Sequence, residues 1–299
     1  MKQIKKAIVP VAGLGTRFLP LSTVLPKELF PLVDKPILQY IVEEAVASGI
    51  EEIIFVSRSG KEMILDYFSK DNEDLKKLLE KRNKNKILEE LKSFEKLSEK
   101  LSFSNYSVSQ VFQKEPLGDG HAILQAKEEI SQEPAAILFG DDIVESKTPC
   151  LSQLIKVYQE YNSPVLALYR IPKYRIDSYG VVRVEKVKDR VYKIKEIVEK
   201  PSIETAPSDL AIVGKYILTP EVFNYLSVAK PRLGGEIILA ETLEKMIQDG
   251  KDVYGCEFEG KWLECGNKTE WILSNFYLTL KDPRFASELK KLIEYQKDL

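Results

Sequence analysis

Histidine occurs once in this 299-residue sequence, at position 121, and cysteine three times, at 150, 256 and 265. So poor an inventory offers no candidate triad, no Cys–His pair and no histidine-rich metal cluster. The cysteines form no CxxC pair and are odd in number, which suits a reducing cytosol. Charge of one sign is missing too. Lys and Arg number 44 against 46 Asp and Glu, a net charge of −2, so no basic field argues for nucleic acid. No apolar run approaches the roughly 20 residues that span a bilayer, and the basic opening meets glycines too soon for a signal peptide. Internal repeats and low-complexity linkers are absent as well. The expectation is a soluble, cytoplasmic protein that binds neither nucleic acid nor membrane.

What is present is an alternation of short β-branched runs and helical patterns. "KAIVPVA" (6–12), "EIIFVS" (52–57) and "AAILFGDD" (135–142) read as buried strands, the last ending in two carboxylates, and "NYSVSQVFQ" (105–113) alternates as a strand should. Between them, 37–49, "KEMILDYFSK" and 120–130 have helical spacing, the first closed by Gly49. Residues 70–101 read as amphipathic surface helices, and Met63 and the helically spaced aromatics read as core. From 164 onward strands follow at short intervals, a helix resumes over 234–250, 252–266 reads as a hairpin, and the tail from 268 reads as helix. The predicted fold is α/β: a Rossmann-like, mixed but mainly parallel central sheet with helices on both faces. Ligands on such sheets sit beyond the carboxyl ends of the strands.

Two segments fall at that place. "AGLGTR" (12–17) offers backbone N–H groups at Gly13 and Gly15 as an anion cradle, and Arg17 and Lys27 add cations suited to phosphate oxygens. The spacing is neither the dinucleotide fingerprint nor a P-loop, because Phe18 stands where a third glycine is needed and no Gly-Lys-Ser/Thr follows. Asp141, closing another strand, suits Mg²⁺, and Glu264 in "WLECG" could complete the site. Glu199 and Lys200 in "EIVEKP" could grip a sugar hydroxyl and a sugar phosphate. Cations and a metal, with no enzyme nucleophile and no strong general base, fit nucleotidyl transfer from an NTP to a sugar 1-phosphate, whose attacking oxygen is already ionised.

"GLGTRFLP…PKELFPLVDKP", followed in order by "LGDGHA", "FGDD", "YGVV", "VEKP", "LAIVGKYILTPEVF", "GGEI" and "CGNK", resembles the bacterial sugar-1-phosphate nucleotidyltransferases over nearly the whole chain. The resemblance implies a nucleotidyltransferase, glycosyltransferase-A-like fold in one domain over 1–299. That domain would comprise a nucleotide-binding half (1–145, with the helical insertion 70–101), a sugar-phosphate-binding half (146–266) and C-terminal helices (267–299). It implies UTP and glucose 1-phosphate as substrates, UDP-glucose and pyrophosphate as products, Mg²⁺ as cofactor, and a homo-oligomer, dimer or tetramer. Alternatives are transfer of a thymidylyl group, or non-catalytic nucleotide-sugar binding. Carried onto matching residues, Ala12, Gly13 and Gly15 would meet the nucleotide, with Arg17 on its phosphates. Lys27 would neutralise the α-phosphate and the leaving pyrophosphate. Glu28 would face the base, and Gln113 and Gly118 would read the uracil edge. Asp141 and Glu264 would bind Mg²⁺. Asp142, Gly180, Glu199 and Gly214 would line the sugar, with Lys200 on its phosphate. Three departures stand out: Glu264 where the family has Asp, Asp119 in "GDGHA" where it has an apolar residue, and "GNKTEW" where it has "GNKLGY".

Overall fold

Alternate side chains of the first strand, β1 (Lys6–Pro10), enter different cores: Ala7 and Val9 one, Ile8 the other. The same split recurs in β4 (Glu52–Ser57), where Ile53 and Phe55 face one way and Ile54 and Val56 the other. A strand buried on both faces must be apolar throughout, which is why these runs were legible. In the computed structural model, which describes residues 3–69, 72–92, 95, 107–232 and 234–297, both belong to one mixed sheet.

Between β1 and β4 lie a tight two-stranded ribbon, β2 (Pro31–Leu32) and β3 (Lys35–Pro36), and helix α1 (Ile37–Ala47), beyond which Gly49 turns with φ +86°. There follow α2 (Met63–Ser69), α3 (Glu73–Lys81), α4 (85–92), β5 (Ser107–Phe112), α5 (Asp119–Gln125), α6 (Lys127–Ile130), β6 (Ala135–Leu138), β7 (Asp142–Glu145) and α7 (Cys150–Tyr161). The second half holds β8 (Val165–Arg170), β9 (Gly180–Lys188), β10 (Val191–Glu199), β11 (Leu210–Leu218), α8 (Pro220–Val228), α9 (Leu239–Gln248), β12 (Tyr254–Glu257), β13 (Lys261–Glu264), α10 (Lys268–Lys281) and α11 (Ala286–Lys297).

Among the described residues nine strands form the main sheet in the order β5-β4-β1-β6-β11-β8-β12-β10-β9. β10 and β11 run against the other seven, as their antiparallel pairings with β12, β9, β6 and β8 show. Helices α1, α2 and α7 cover one face, and α5, α8 and α9 the other. The expected class is therefore the observed one. Inside the sheet itself Lys215 of β11 is fully enclosed and lies 2.8 Å from Glu44 of α1.

Three local expectations are corrected. The 135–142 strand ends at Leu138, and Asp142 opens a separate small sheet with β13, in which it stands opposite Glu264. The 252–266 segment is no hairpin, because β12 joins the main sheet between β8 and β10 while β13 pairs with β7. Met63, expected in the core, is 41% exposed at the start of α2, where Ile64 and Phe68 carry the buried stripe instead. Of the 70–101 insertion, 73–81 and 85–92 are helical as expected, and 70–71, 93–94 and 96–101 lie outside the described residues, as do 105–106 of the alternating segment.

Candidate active site

The ends of β1, β4 and β6 open on the same side, and the glycine-rich segment crosses above them. Val11 still donates to Val56 at 2.8 Å, after which the chain makes three short turns over Thr16–Phe18, Leu21–Thr23 and Lys27–Leu29. Gly15 is required at the first: its φ is +67°, and a Cβ there would come within 3.0 Å of Ser22 Cβ. Ser22 Oγ donates to Gly15 O at 2.8 Å. Phe18 drops into the core against Phe30 and Trp271, with ring centroids 5.0 and 6.4 Å away. The loop is thus pinned from below while Gly13 and Arg17 stay exposed above it.

Two adjoining cavities lie beneath and beside this loop. One, about 390 Å³, is lined by Ala12, Gly13, Lys27, Glu28, Gln113 and Gly118. The other, about 380 Å³, is lined by Arg17, Asp142, Gly180, Glu199, Lys200, Gly214 and Glu264. Asp141, Asp119 and Phe139 border both. The structure therefore brings together the predicted nucleotide residues in one cavity and the predicted sugar-phosphate residues in the other. Gly15 lines neither and serves the turn. Arg17, expected on the nucleotide phosphates, borders the second cavity, with Nη1 3.4 Å from Gly266 O.

The junction is electrostatic. Lys27 Nζ pairs with Asp141 Oδ2. Burial works against the Lys27 charge, but Asp141, Glu28 and Asp142 outweigh it and raise its pKa. Burial likewise pushes Asp141 upward, yet Lys27 and then Arg17 hold it below the usual carboxylate range. Asp142 goes the opposite way, pushed up to about 7 by burial and then by the charges of Asp141 and Glu264. It accepts from Trp262 Nε1 at 2.7 Å and from Gly214 N at 3.1 Å. A Cβ at Gly214 would collide with Asp142 and Phe139, so a bare backbone is needed there. Two neighbouring acids pushed in opposite directions can take different roles, one anionic and one able to donate.

In the first cavity Glu28 is only 1% exposed, and its Oε2 is taken at 2.9 Å by Lys61, which also donates to Val11 O at 2.5 Å. Gln113 Nε2 donates to Gly118 O at 3.0 Å and lies 3.0 Å from His121 Nδ1, so the lone histidine packs against an amide that lines the first cavity. Gly118 has φ +93°, and a Cβ on it would strike the backbone of Ile237. In the second cavity Gly180 stands opposite Glu199 in the β9–β10 ladder, and burial raises the Glu199 pKa. Lys200, with φ +48°, leaves its side chain 49% exposed at the rim. Lys61, Arg175, Tyr179 and Trp262 were missed from sequence. No spacing signal marks them, because each acts on a carboxylate far away in the chain.

Asp119 accepts from Gly120 N at 2.6 Å and Leu239 N at 3.0 Å, and burial pushes its pKa up to about 6. A carboxyl raised in the folded state favours folding most when protonated, below its unfolded value near 4, and that contribution is lost as pH rises through about 6. Asp119→Asn keeps an acceptor and removes the titration. The variant should therefore gain about 1–3 kcal/mol over wild type between pH 4 and pH 7, read from urea midpoints. Parallel pH curves would contradict this.

Comparisons with known proteins find matches over most of the chain. The model of the nucleotidyl transferase family matches residues 6–278. A curated protein of Staphylococcus haemolyticus named UTP–glucose-1-phosphate uridylyltransferase is 44% identical over 294 residues, covering 98% of this chain and 99% of that protein. A crystal structure of UDP-glucose pyrophosphorylase complexed with UDP-glucose superimposes with a TM-score of 0.83 at 36% identity, over 94% of this chain and 100% of that one. The UTP-bound UGPase from Acinetobacter baumannii gives 0.85 at 34% identity, over 97% and 99%.

Proposed function

The chain belongs to the nucleotidyl transferase family, and we propose that it transfers a uridylyl group from UTP to α-D-glucose 1-phosphate, giving UDP-glucose and pyrophosphate. The carrying observation is the Lys27–Asp141 pair at the junction of the two cavities, where a nucleotide α-phosphorus and a sugar phosphate can meet. UTP occupies the Ala12–Gly118 side, with its base against Gln113. Residues 1–145 act as the nucleotide-binding half, and 146–266 with Lys200 and Glu199 as the sugar-phosphate half. The sugar-phosphate oxygen attacks the α-phosphorus in line, the bond to the β-phosphate oxygen breaks, and pyrophosphate leaves. Lys27 neutralises charge on the α-phosphate, and Arg17 meets the phosphates at the junction.

Mg²⁺ is the cofactor of this reading. Asp141 and Glu264 are hard oxygen donors, and a Cβ at Gly266 would lie 3.2 Å from Asp141 Oδ2 and 3.4 Å from Glu264 Oε1, so bare glycine leaves a cradle between them. Among the described residues no three His, Cys, Asp or Glu side chains could hold an ion by themselves, and Mg²⁺ that keeps waters and phosphate oxygens needs only one or two carboxylates. The residues fit. When bound, the ion would neutralise charge developing on the phosphate oxygens.

The assembly is read as a homo-oligomer, dimer or tetramer, for which exposed Ile272, Leu273 and Phe276 on α10 offer apolar surface. No described helix is long and apolar enough to cross a membrane. The names of the relatives favour uridylyl over thymidylyl transfer. Pyrophosphate release across UTP, dTTP, ATP, GTP and CTP tests the choice: UTP should lead dTTP, which adds a 5-methyl and lacks the 2′-hydroxyl, by at least roughly 10–200-fold, the scale for one methyl alone in a fitted pocket. Equal rates with dTTP would overturn the base assignment. Lys200→Ala should raise the KM for glucose 1-phosphate about 10–100-fold, the scale of one charged hydrogen bond, and move that for UTP less than about twofold. Equal shifts would remove Lys200 from the sugar phosphate.

A further inference from the structure

Among the described residues, Glu264 spends only one of its two oxygens on the protein. Arg175 Nη2 donates to Oε2 at 2.7 Å, and the Tyr179 hydroxyl donates to the same atom. Because a carboxylate is planar, fixing one oxygen by two donors aims the other. Oε1 points into the cradle at Gly266, bordered also by Asp141 Oδ2 and, 3.7 Å from the same point, Arg17 Nη1. A glutamate has one more torsion than an aspartate, and each staggered torsion offers three wells. Without a clamp, Glu264 would spend most of its time turned elsewhere.

Arg175 is itself held. Its Nη2 lies 3.3 Å from Glu270 Oε1, and its guanidinium stands over the Tyr179 and Trp262 rings at 5.3 and 5.8 Å. Glu270 is the third residue of α10, and its N–H donates to Asn267 Oδ1 at 3.0 Å, the side-chain cap of that helix. A rigid helix start thus fixes Glu270, which fixes Arg175, which fixes Glu264. Two of the acids that depart from the family pattern, Glu264 and the Glu270 of "GNKTEW", meet on one guanidinium.

We propose that Arg175 is a positioning residue that delivers Glu264 Oε1 to the metal–phosphate space beside Asp141, with Glu270 as its anchor; the inference rests on the metal reading above. Arg175 acts through Glu264 and touches no reacting atom. It holds the extra torsion of the longer carboxylate, which a shorter one does not have.

The test is Mn²⁺ binding to protein saturated with UDP-glucose, with free Mn²⁺ counted by electron paramagnetic resonance. Arg175→Gln should raise the Mn²⁺ Kd about tenfold, the lower end of the range for losing the partner of a metal ligand, and Arg175→Lys should recover part of that loss. In a Glu264→Asp background, where the carboxylate stops a methylene short of Arg175, the same Arg175→Gln change should cost less than about twofold. Glu270→Gln, at a surface helix start where folding is safe, should raise the Kd about two- to threefold, and not at all once Arg175 is Gln. An Arg175→Gln Kd within twofold of wild type would overturn the proposal, as would an Arg175→Gln loss of the same size with Glu264 intact and in the Glu264→Asp background. Wild-type protein that binds no Mn²⁺ would instead remove the metal reading itself, a separate and distinguishable failure.

Discussion

Asp141→Asn should reduce pyrophosphate release to about 10⁻³ of wild type or less while still melting cooperatively, at a folding cost of about 1–3 kcal/mol because Lys27 loses its counter-charge. Asp141 borders both cavities and is held anionic, against the pull of burial, by Lys27 and Arg17. Its backbone is fixed as well, since Cys265 N donates to Asp141 O at 2.7 Å. Asparagine keeps the shape and loses the charge. If that charge anchors the metal, several kcal/mol of transition-state stabilisation go with it, and about 4 kcal/mol is a factor of roughly 10³. The check pairs a pyrophosphate assay with a thermal melt. Turnover within tenfold of wild type would show that Asp141 is a structural partner of Lys27 and nothing more.

Lys27→Ala should cut kcat by roughly 10²–10³, the scale for removing one preorganised charge from the reacting centre. A loop lysine packs little, yet this one carries weight in folding as well. Lys27 is the ion-pair partner of a half-buried Asp141, and its charge also bears on Glu28 and Asp142. Removing it leaves Asp141 short of its donor, so the metal-free variant should lose about 1–3 kcal/mol, measured by urea unfolding. A variant with kcat within a few-fold of wild type would place the α-phosphate elsewhere.

How much of this was legible follows from where the information lies in the chain. β1, β4 and β6 announce themselves because both faces are buried, so the apolar run is continuous and needs no tertiary context. The linings of the two cavities were legible because their charged residues sit in loops after strands, and Arg17, Lys27, Asp141 and Lys200 are more than a turn needs. Pairing was not legible. Lys61 meets Glu28 across 33 positions and Arg175 meets Glu264 across 89, and nothing local in "SGKE" or "KYRIDSYG" declares an acid partner. The 252–266 segment failed for a related reason: two strands flanking a Gly turn look like a hairpin whether or not they pair, and here β13 left for β7. Lys215 is the sharpest case. It interrupts an otherwise apolar buried strand, and only the fold supplies Glu44 beneath it. Asp119 stands out in the sequence as an acid where the family has an apolar residue, but its use as an acceptor for Leu239 N, 120 positions away, follows only from the fold.

The central claim is that one cavity takes the nucleotide, the other takes the sugar phosphate, and Asp141 with Lys27 marks where they react. A crystal structure with UTP, glucose 1-phosphate and Mg²⁺ captured before turnover tests it most directly. The expected result has the uracil against Gln113 and Gly118, the sugar between Glu199, Gly180 and Asp142 with its phosphate at Lys200, and the ion about 2.0–2.1 Å from an Asp141 oxygen. A nucleotide base found in the Glu199–Gly214 cavity, or an ion farther than one bridging water from Asp141, would contradict the account.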